Sequence, residues 1–213
     1  MATKLHALKT KTWFGFDLDD TIHNPRSASS AASLAVFGGI YEGRDIPVKT
    51  ALAAALTPKP GALELFKQLK ARGKNTVVVT EGPRDAQKWT VEQLGLAPCV
   101  DVLVASNEVG LAKDAGLFGE VLERCGIRKE DMVSVGDRLE GDVVPAKAVG
   151  VLGVLFDERD EYRDVRVGEG NGEDVLRVNS LTEIGDWRLE IGCKIVIRMG
   201  SPKPFTASRY SLP

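Results

Sequence analysis

Short apolar runs alternate with amphipathic stretches from Trp13 to Phe156. The runs are Trp13–Asp17 (WFGFD), Thr76–Thr80 (TVVVT), Val100–Val104 (VDVLV), Met132–Gly136 (MVSVG) and Val151–Phe156 (VLGVLF). They are rich in β-branched residues and apolar on both faces, the pattern of parallel strands buried between two layers. Between them Ala62, Leu65, Phe66 and Leu69 recur at i, i+3, i+4 and i+7, and Gly73 follows as a stop. Phe118, Val121, Leu122 and Cys125 repeat the same spacing ahead of Gly126. Arg84 to Leu94 and Asp142 to Val149 carry weaker helical patterns, closed by Gly95 and Gly150. This alternation predicts a doubly wound, Rossmann-like α/β fold: a parallel sheet with helices on both faces.

Two segments break the alternation. Residues 24–57 carry Ser/Ala-rich and Gly-rich stretches and end at Pro58-Lys59-Pro60-Gly61. Short helices are expected over Ala28–Phe37 and Val48–Leu56, which makes this segment a small, helical cap insert. The expected division is a core of residues 12–23 and 58–190, the insert at 24–57 and a weakly ordered tail at 191–213. Ser180 and Glu183 form a capping-box pattern that opens a last short helix. Beyond Trp187 only CKIVI, at Cys193–Ile197, reads as a strand, and the basic residues around it read as solubilising.

Composition narrows the function classes. A chain of 213 residues is expected to form one domain and needs no disulfide or metal to fold. Lys and Arg total 28 against 30 Asp and Glu, a net charge of −2, which gives no general electrostatic reason to bind nucleic acid or an anionic membrane. Three cysteines without a CxxC, and two histidines far from them, argue against a disulfide scaffold or a structural zinc site. Met1–Lys11 lacks the apolar core of a secretory signal, and no stretch approaches the ~20 apolar residues of a membrane span. The expectation is a cytoplasmic protein.

In a doubly wound sheet, ligands bind at the carboxyl ends of the strands. The first predicted strand ends in Asp17-Leu18-Asp19-Asp20-Thr21, the second in Thr80-Glu81-Gly82 and the fourth in Gly136-Asp137, with Asp142 five residues on. Lys113 lies in the loop after the third. Topology thus brings several carboxylates, a hydroxyl and a lysine to one rim. Clustered carboxylates raise one another's pKa unless a cation is present. Mg²⁺, a hard ion that takes carboxylates, waters and a substrate phosphate, suits them together with the lysine. A carboxylate held beside Mg²⁺ can attack phosphorus to give an aspartyl-phosphate, and a second one two residues on can serve as acid and base.

Asp17-Leu18-Asp19-Asp20-Thr21, Thr80, Lys113 and Gly136-Asp137…Asp142 together resemble the four signature motifs of the haloacid dehalogenase-like hydrolase superfamily, in the family's order. The resemblance runs from about Trp13 to Trp187 and lies closest to the phosphatase and nucleotidase-like branch with a cap after the first motif. It implies Asp17 as nucleophile and Mg²⁺ ligand, and Asp19 as acid/base that also meets Mg²⁺ through its backbone carbonyl. It implies Thr80 as a hydrogen-bond donor to phosphate and Lys113 as the cation screening nucleophile and phosphate. Asp137 is implied as a metal ligand, and Asp142 as a residue holding the metal site directly or through water. The activity implied is Mg²⁺-dependent hydrolysis of a small phosphomonoester. Two alternatives stand beside it. One is a non-catalytic member binding a phosphorylated ligand or protein partner, which the short insert and the tail favour. The other is a haloacid dehalogenase, against which Asp19 argues, since dehalogenating members lack an Asp at that place. Asp20 and Glu81 are read as loop stabilisers, Cys99 and Cys125 as core thiols and Trp89 as a packing residue. His23, near the nucleophile loop, either touches substrate or faces solvent.

Overall fold

Residues 3–162 and 175–185 are described by the computed structural model. The β-branched runs form β1 (Trp13–Phe16), β2 (Asn75–Thr80), β3 (Val102–Ala105), β4 (Met132–Gly136) and β5 (Leu152–Phe156), joined by a short β6 (Leu176–Val178). All pairings are parallel, in the order β3-β2-β1-β4-β5-β6. The doubly wound sheet predicted from the alternation is therefore present. The chain winds outward from β1 through β2 to β3, then returns to lay β4 on the other side of β1. This reversal opens a crevice between the ends of β1 and β4.

Strand alternation divides the core into two layers. Phe14 and Phe16 of β1, Val78 of β2 and Val133 and Val135 of β4 face α4 (Ala62–Ala71), α5 (Arg84–Gln93) and α9 (Leu181–Gly185). Val77, Val79 and Met132 face α7 (Leu117–Cys125) and α8 (Val144–Ala148). A short α6 (Ser106–Val109) follows β3, and α1 (Thr3–Thr10) packs Leu8 into the first layer. Cys99 is buried in the core, Cys125 is half-buried against the second layer, and Trp89 packs against the first.

Residues 25–55 form two helices, α2 (Pro25–Tyr41) and α3 (Val48–Ala55). α2 exceeds the expected Ala28–Phe37 at both ends. Asn24 caps its start by accepting from the Ser27 N–H at 2.9 Å, and Pro25 fits the first turn, which needs no N–H there. At the other end the helix runs through Gly38 and Gly39 to Tyr41, and the return segment packs closely on Gly39, where a Cβ would lie 2.7 Å from Ile46 Cδ1. The helix expected from Asp142 starts later, at Val144, because a widened π-type turn occupies Leu139–Val143. The capping box is formed: Glu183 Oε1 accepts from the Ser180 N–H at 3.0 Å, and Ser180 Oγ accepts from the Thr182 N–H at 3.2 Å. The expected CKIVI strand and the 191–213 tail lie outside the described residues. Among the described residues no helix is long and apolar enough to cross a membrane.

Candidate active site

The site grows from the end of β1. Phe16 points into the α4 layer, so Asp17, one residue on, points to the opposite side. Its N–H donates to Val135 O at 2.9 Å, continuing the β1–β4 ladder past the last strand residue. Lys113 arrives there from the 3₁₀ turn Lys113–Ala115, between α6 and α7. Its Nζ donates to Asp17 Oδ1 and, at 2.6 Å, to Asp142 Oδ1. All three side chains are at least nine-tenths buried.

Asp142 is held from both sides, for its Oδ2 accepts from the Arg138 N–H at 2.9 Å. The π-type turn that carries it closes over the end of β4 at Gly136. A Cβ on that residue would stand 2.3 Å from Asp142 Cβ, so the approach requires glycine. Asp137, next in the chain, accepts from Thr21 Oγ1 at 3.2 Å. Thr21 reaches it because Asp20 takes a left-handed conformation (φ 59°), one that Asp tolerates, and this turns the chain back after Asp19. Carboxylate oxygens of Asp17, Asp137 and Asp142 all lie within 4.8 Å of one another.

Electrostatics follow from this crowding. Burial, aided by the charges of Asp142 and Asp137, pushes the Asp17 carboxyl up to about 7 against the pull of Lys113. Burial works against the Lys113 ammonium, yet Asp17 and Asp142 outweigh it and hold its pKa above the ordinary lysine value. Burial first, then the charge of Asp142, raises Asp137 as well. One lysine thus balances a group of three carboxylates only in part.

Asp17, Lys113, Asp137 and Asp142 are brought together. Thr80 is buried at the end of the neighbouring strand β2, where Phe16 pairs with Val78 and so sets Thr80 level with Leu18. Its hydroxyl makes a long bond, 3.4 Å, to Glu81 O. The loop beyond it is tied down: the Gly82 N–H donates to Ser106 Oγ at 3.0 Å and Gln87 Nε2 to Glu81 O at 2.9 Å. Asp19 stands outside the carboxylate group, half-exposed, and its Oδ1 accepts from His23 Nε2 at 2.9 Å.

His23 departs from the solvent-facing reading. It is 3% exposed and bonded to Asp19 rather than facing solvent. The i, i+4 spacing from Asp19 was the available signal, but that spacing means a shared face only on a helix, and this segment is a loop. The Thr21–Asp137 bond was equally hidden, because the left-handed turn at Asp20 has no pattern in the sequence.

A family profile described as haloacid dehalogenase-like hydrolase matches residues 11–150. Glyceraldehyde 3-phosphate phosphatase of Methanocaldococcus jannaschii is 34% identical over 134 residues, which cover 62% of this chain and 57% of that protein. Ribulose-1,5-bisphosphate 5-phosphatase of Halopiger xanaduensis is 37% identical over 103 residues, 48% of this chain and 43% of that protein. The chain therefore spans about half the length of these relatives. Among solved structures, the magnesium-bound HAD-hydrolase YfnB of Bacillus subtilis aligns with a TM-score of 0.63 at 17% identity, covering 83% of this chain and 97% of that one.

Proposed function

The chain belongs to the haloacid dehalogenase-like hydrolase family, and on that premise we propose that it is a phosphatase that hydrolyses a small phosphomonoester through an aspartyl-phosphate on Asp17. The observation that carries this reading is the buried Lys113 ammonium bonded to both Asp17 and Asp142, with Asp137 in the same group. A structural ion pair has no need of a third, half-buried carboxylate in the same group, whereas phosphoryl transfer needs a nucleophile kept ionised beside positive charge. The names of the relatives, phosphatases acting on small phosphorylated compounds, agree with this choice.

The donor set suits Mg²⁺. Three carboxylates within 4.8 Å leave negative charge that one lysine does not cancel, and all the ligand atoms are hard oxygens. Asp17 and Asp137, with the Asp19 backbone carbonyl, are the groups that would hold it. Asp142, whose two oxygens already accept from Lys113 and the Arg138 N–H, would support them from behind, meeting the ion directly or through water. When bound, the ion would neutralise the carboxylates and withdraw charge from the phosphoryl oxygens.

In the proposed reaction Lys113 and Thr80 donate to the phosphoryl oxygens and orient the phosphorus toward Asp17. An Asp17 oxygen forms the new bond to phosphorus while the bond to the leaving oxygen breaks, and Asp19 gives that oxygen its proton. Asp19 then takes a proton from water, the water oxygen bonds to phosphorus, and the Asp17–phosphorus bond breaks to release phosphate. The half-exposed position of Asp19 outside the carboxylate group supports a role on the leaving-group side, one that a halide would not require. The test is phosphate release across a panel of phosphomonoesters, p-nitrophenyl phosphate included, with and without Mg²⁺. Metal-dependent release is expected. Silence across the panel, with phosphorylated ligands still bound, would replace this reading by a non-catalytic one.

A further inference from the structure

His23 is a buried side chain that the proposed chemistry leaves unused. Its Nε2 is 2.9 Å from Asp19 Oδ1, and a carboxylate only accepts, so Nε2 carries the hydrogen. Its Nδ1 is buried and has no hydrogen-bond partner among the described residues. A buried polar atom left unpaired costs roughly 1–3 kcal/mol, so the ring is in a position that stability alone disfavours. Among the described residues the bond from His23 is the one hydrogen bond made by the Asp19 carboxylate.

The backbone around His23 adds a second constraint. His23 N–H donates to Leu18 O at 3.3 Å, and isolated bridges pair His23 with Asp19 on one side and with Pro58 on the other. The Lys59 N–H donates to Ile22 O at 2.7 Å. Both connections to the helical insert, before Asn24 and after Thr57, are therefore fastened together at the residue that holds Asp19.

Resting on the phosphatase reading, we propose that His23 is a positioning residue: it fixes the Asp19 carboxylate on the leaving-group side, away from the Asp17–Asp137–Asp142 group, and ties that placement to the two connections of the insert. The bond engages Oδ1 and leaves Oδ2 as the oxygen that passes a proton to the leaving group. A carboxylate freed from His23 would turn toward whatever cation lies nearest and lose that role.

Two substitutions separate positioning from packing. A Gln amide nitrogen lies about where Nε2 lies in histidine, whereas an Asn amide stops near Nδ1 and falls short of Asp19. For His23→Asn we expect turnover of an alkyl phosphate, a poor leaving group, to fall by about 10–100-fold, with KM nearly unchanged, while the first step with p-nitrophenyl phosphate, read as pre-steady-state release of p-nitrophenol, loses less than about threefold. His23→Gln should recover most of the alkyl phosphate turnover. In an Asp19→Asn background, His23→Asn should add no further loss, because nothing remains to be positioned. A loss in the p-nitrophenol-releasing step as large as that on the alkyl phosphate, a further loss in the Asp19→Asn background, or a Gln variant no better than Asn would overturn the proposal while leaving the phosphatase reading intact. If His23→Asn does not fold, the Gln variant decides alone: a folded His23→Gln with the leaving-group dependence of Asp19→Asn contradicts the assigned bond. A wild-type protein without turnover on either substrate would remove both the reading and this inference.

Discussion

Asp17 is the residue on which charge, burial and chemistry meet. Its carboxyl is pushed up to about 7 from an ordinary 3.8, so the folded protein without metal holds that proton more tightly than the unfolded chain does. The sign is fixed by linkage: the raised value favours the fold below about pH 4, and the contribution is lost as pH rises through about 7. The raised Asp137 acts in the same direction. Metal-free protein is therefore expected to lose melting temperature between about pH 5 and pH 8, and Asp17→Asn, which no longer titrates, to lose clearly less. Mg²⁺ at about pH 8 should raise the melting temperature of wild type more than that of Asp17→Asn, since an ion that binds only the folded state stabilises it. Thermal unfolding with chelator and with Mg²⁺ measures both, and a variant as pH-sensitive as wild type would contradict the assignment. Asp17, Asp19 and Asp137 are legible in the sequence because strand ends in a doubly wound sheet mark their own rim. The loop after the third strand brings Lys113 to the same rim, but that it is buried and bonded to both Asp17 and Asp142 depends on the tertiary approach of its turn, which leaves no pattern in the sequence.

At the scale of elements, the turn Leu139–Val143 and the end of β4 must touch for Asp142 to reach Lys113. Gly136→Ala places a Cβ 2.3 Å from Asp142 Cβ, so one of the two has to move. The expected result is a stability loss of about 1–3 kcal/mol, as for other overpacked sites, and a larger proportional loss of turnover, at least about tenfold. Steady-state kinetics on the folded variant decide it, and unchanged turnover would show that Asp142 need not be fixed. The periodic helices α4, α5 and α7 and the five longer strands are readable from apolar spacing, because each buries one stripe or two faces. The late start of α8 and the three-residue β6 are not, since a widened turn and a strand that short leave no period. The insert was legible as helical, but the extension of its first helix to Tyr41 was not, and there Ile46 closes against Gly39, a contact between segments. α2 is about 25 Å long and α3 about 12 Å, a small roof for a site at this rim. Leu34, Phe37, Ile40 and Tyr41 of α2 stand exposed. We expect so small an insert to discriminate weakly, with kcat/KM values for sugar phosphates, nucleotides and phosphoglycolate-sized acids falling within about a hundredfold of one another. One substrate standing about a thousandfold above the rest would show the insert to be selective.

For the whole molecule, the decisive feature is the reversal of winding between β1 and β4. It places Asp17 beside the Gly136–Asp137 end of β4, which chain distance alone keeps 120 residues apart. Net charge is −2 over 213 residues, so the local excess of carboxylates at this crevice is a property of topology and not of composition. The two apolar layers pack both faces of the sheet beneath it, and the candidate site residues sit on strand ends and the turns that follow them. The central claim, that Asp17 takes the phosphoryl group covalently, is tested most directly by mass spectrometry of acid-quenched Asp19→Asn protein mixed with Mg²⁺ and p-nitrophenyl phosphate. This variant keeps the nucleophile but lacks the base for the second step, so phosphate should accumulate on the peptide carrying Asp17, and none should appear without Mg²⁺ or when Asp17 is also changed to Asn. Phosphate release by the wild-type protein with no phosphate trapped on Asp17 in the Asp19→Asn variant would contradict it.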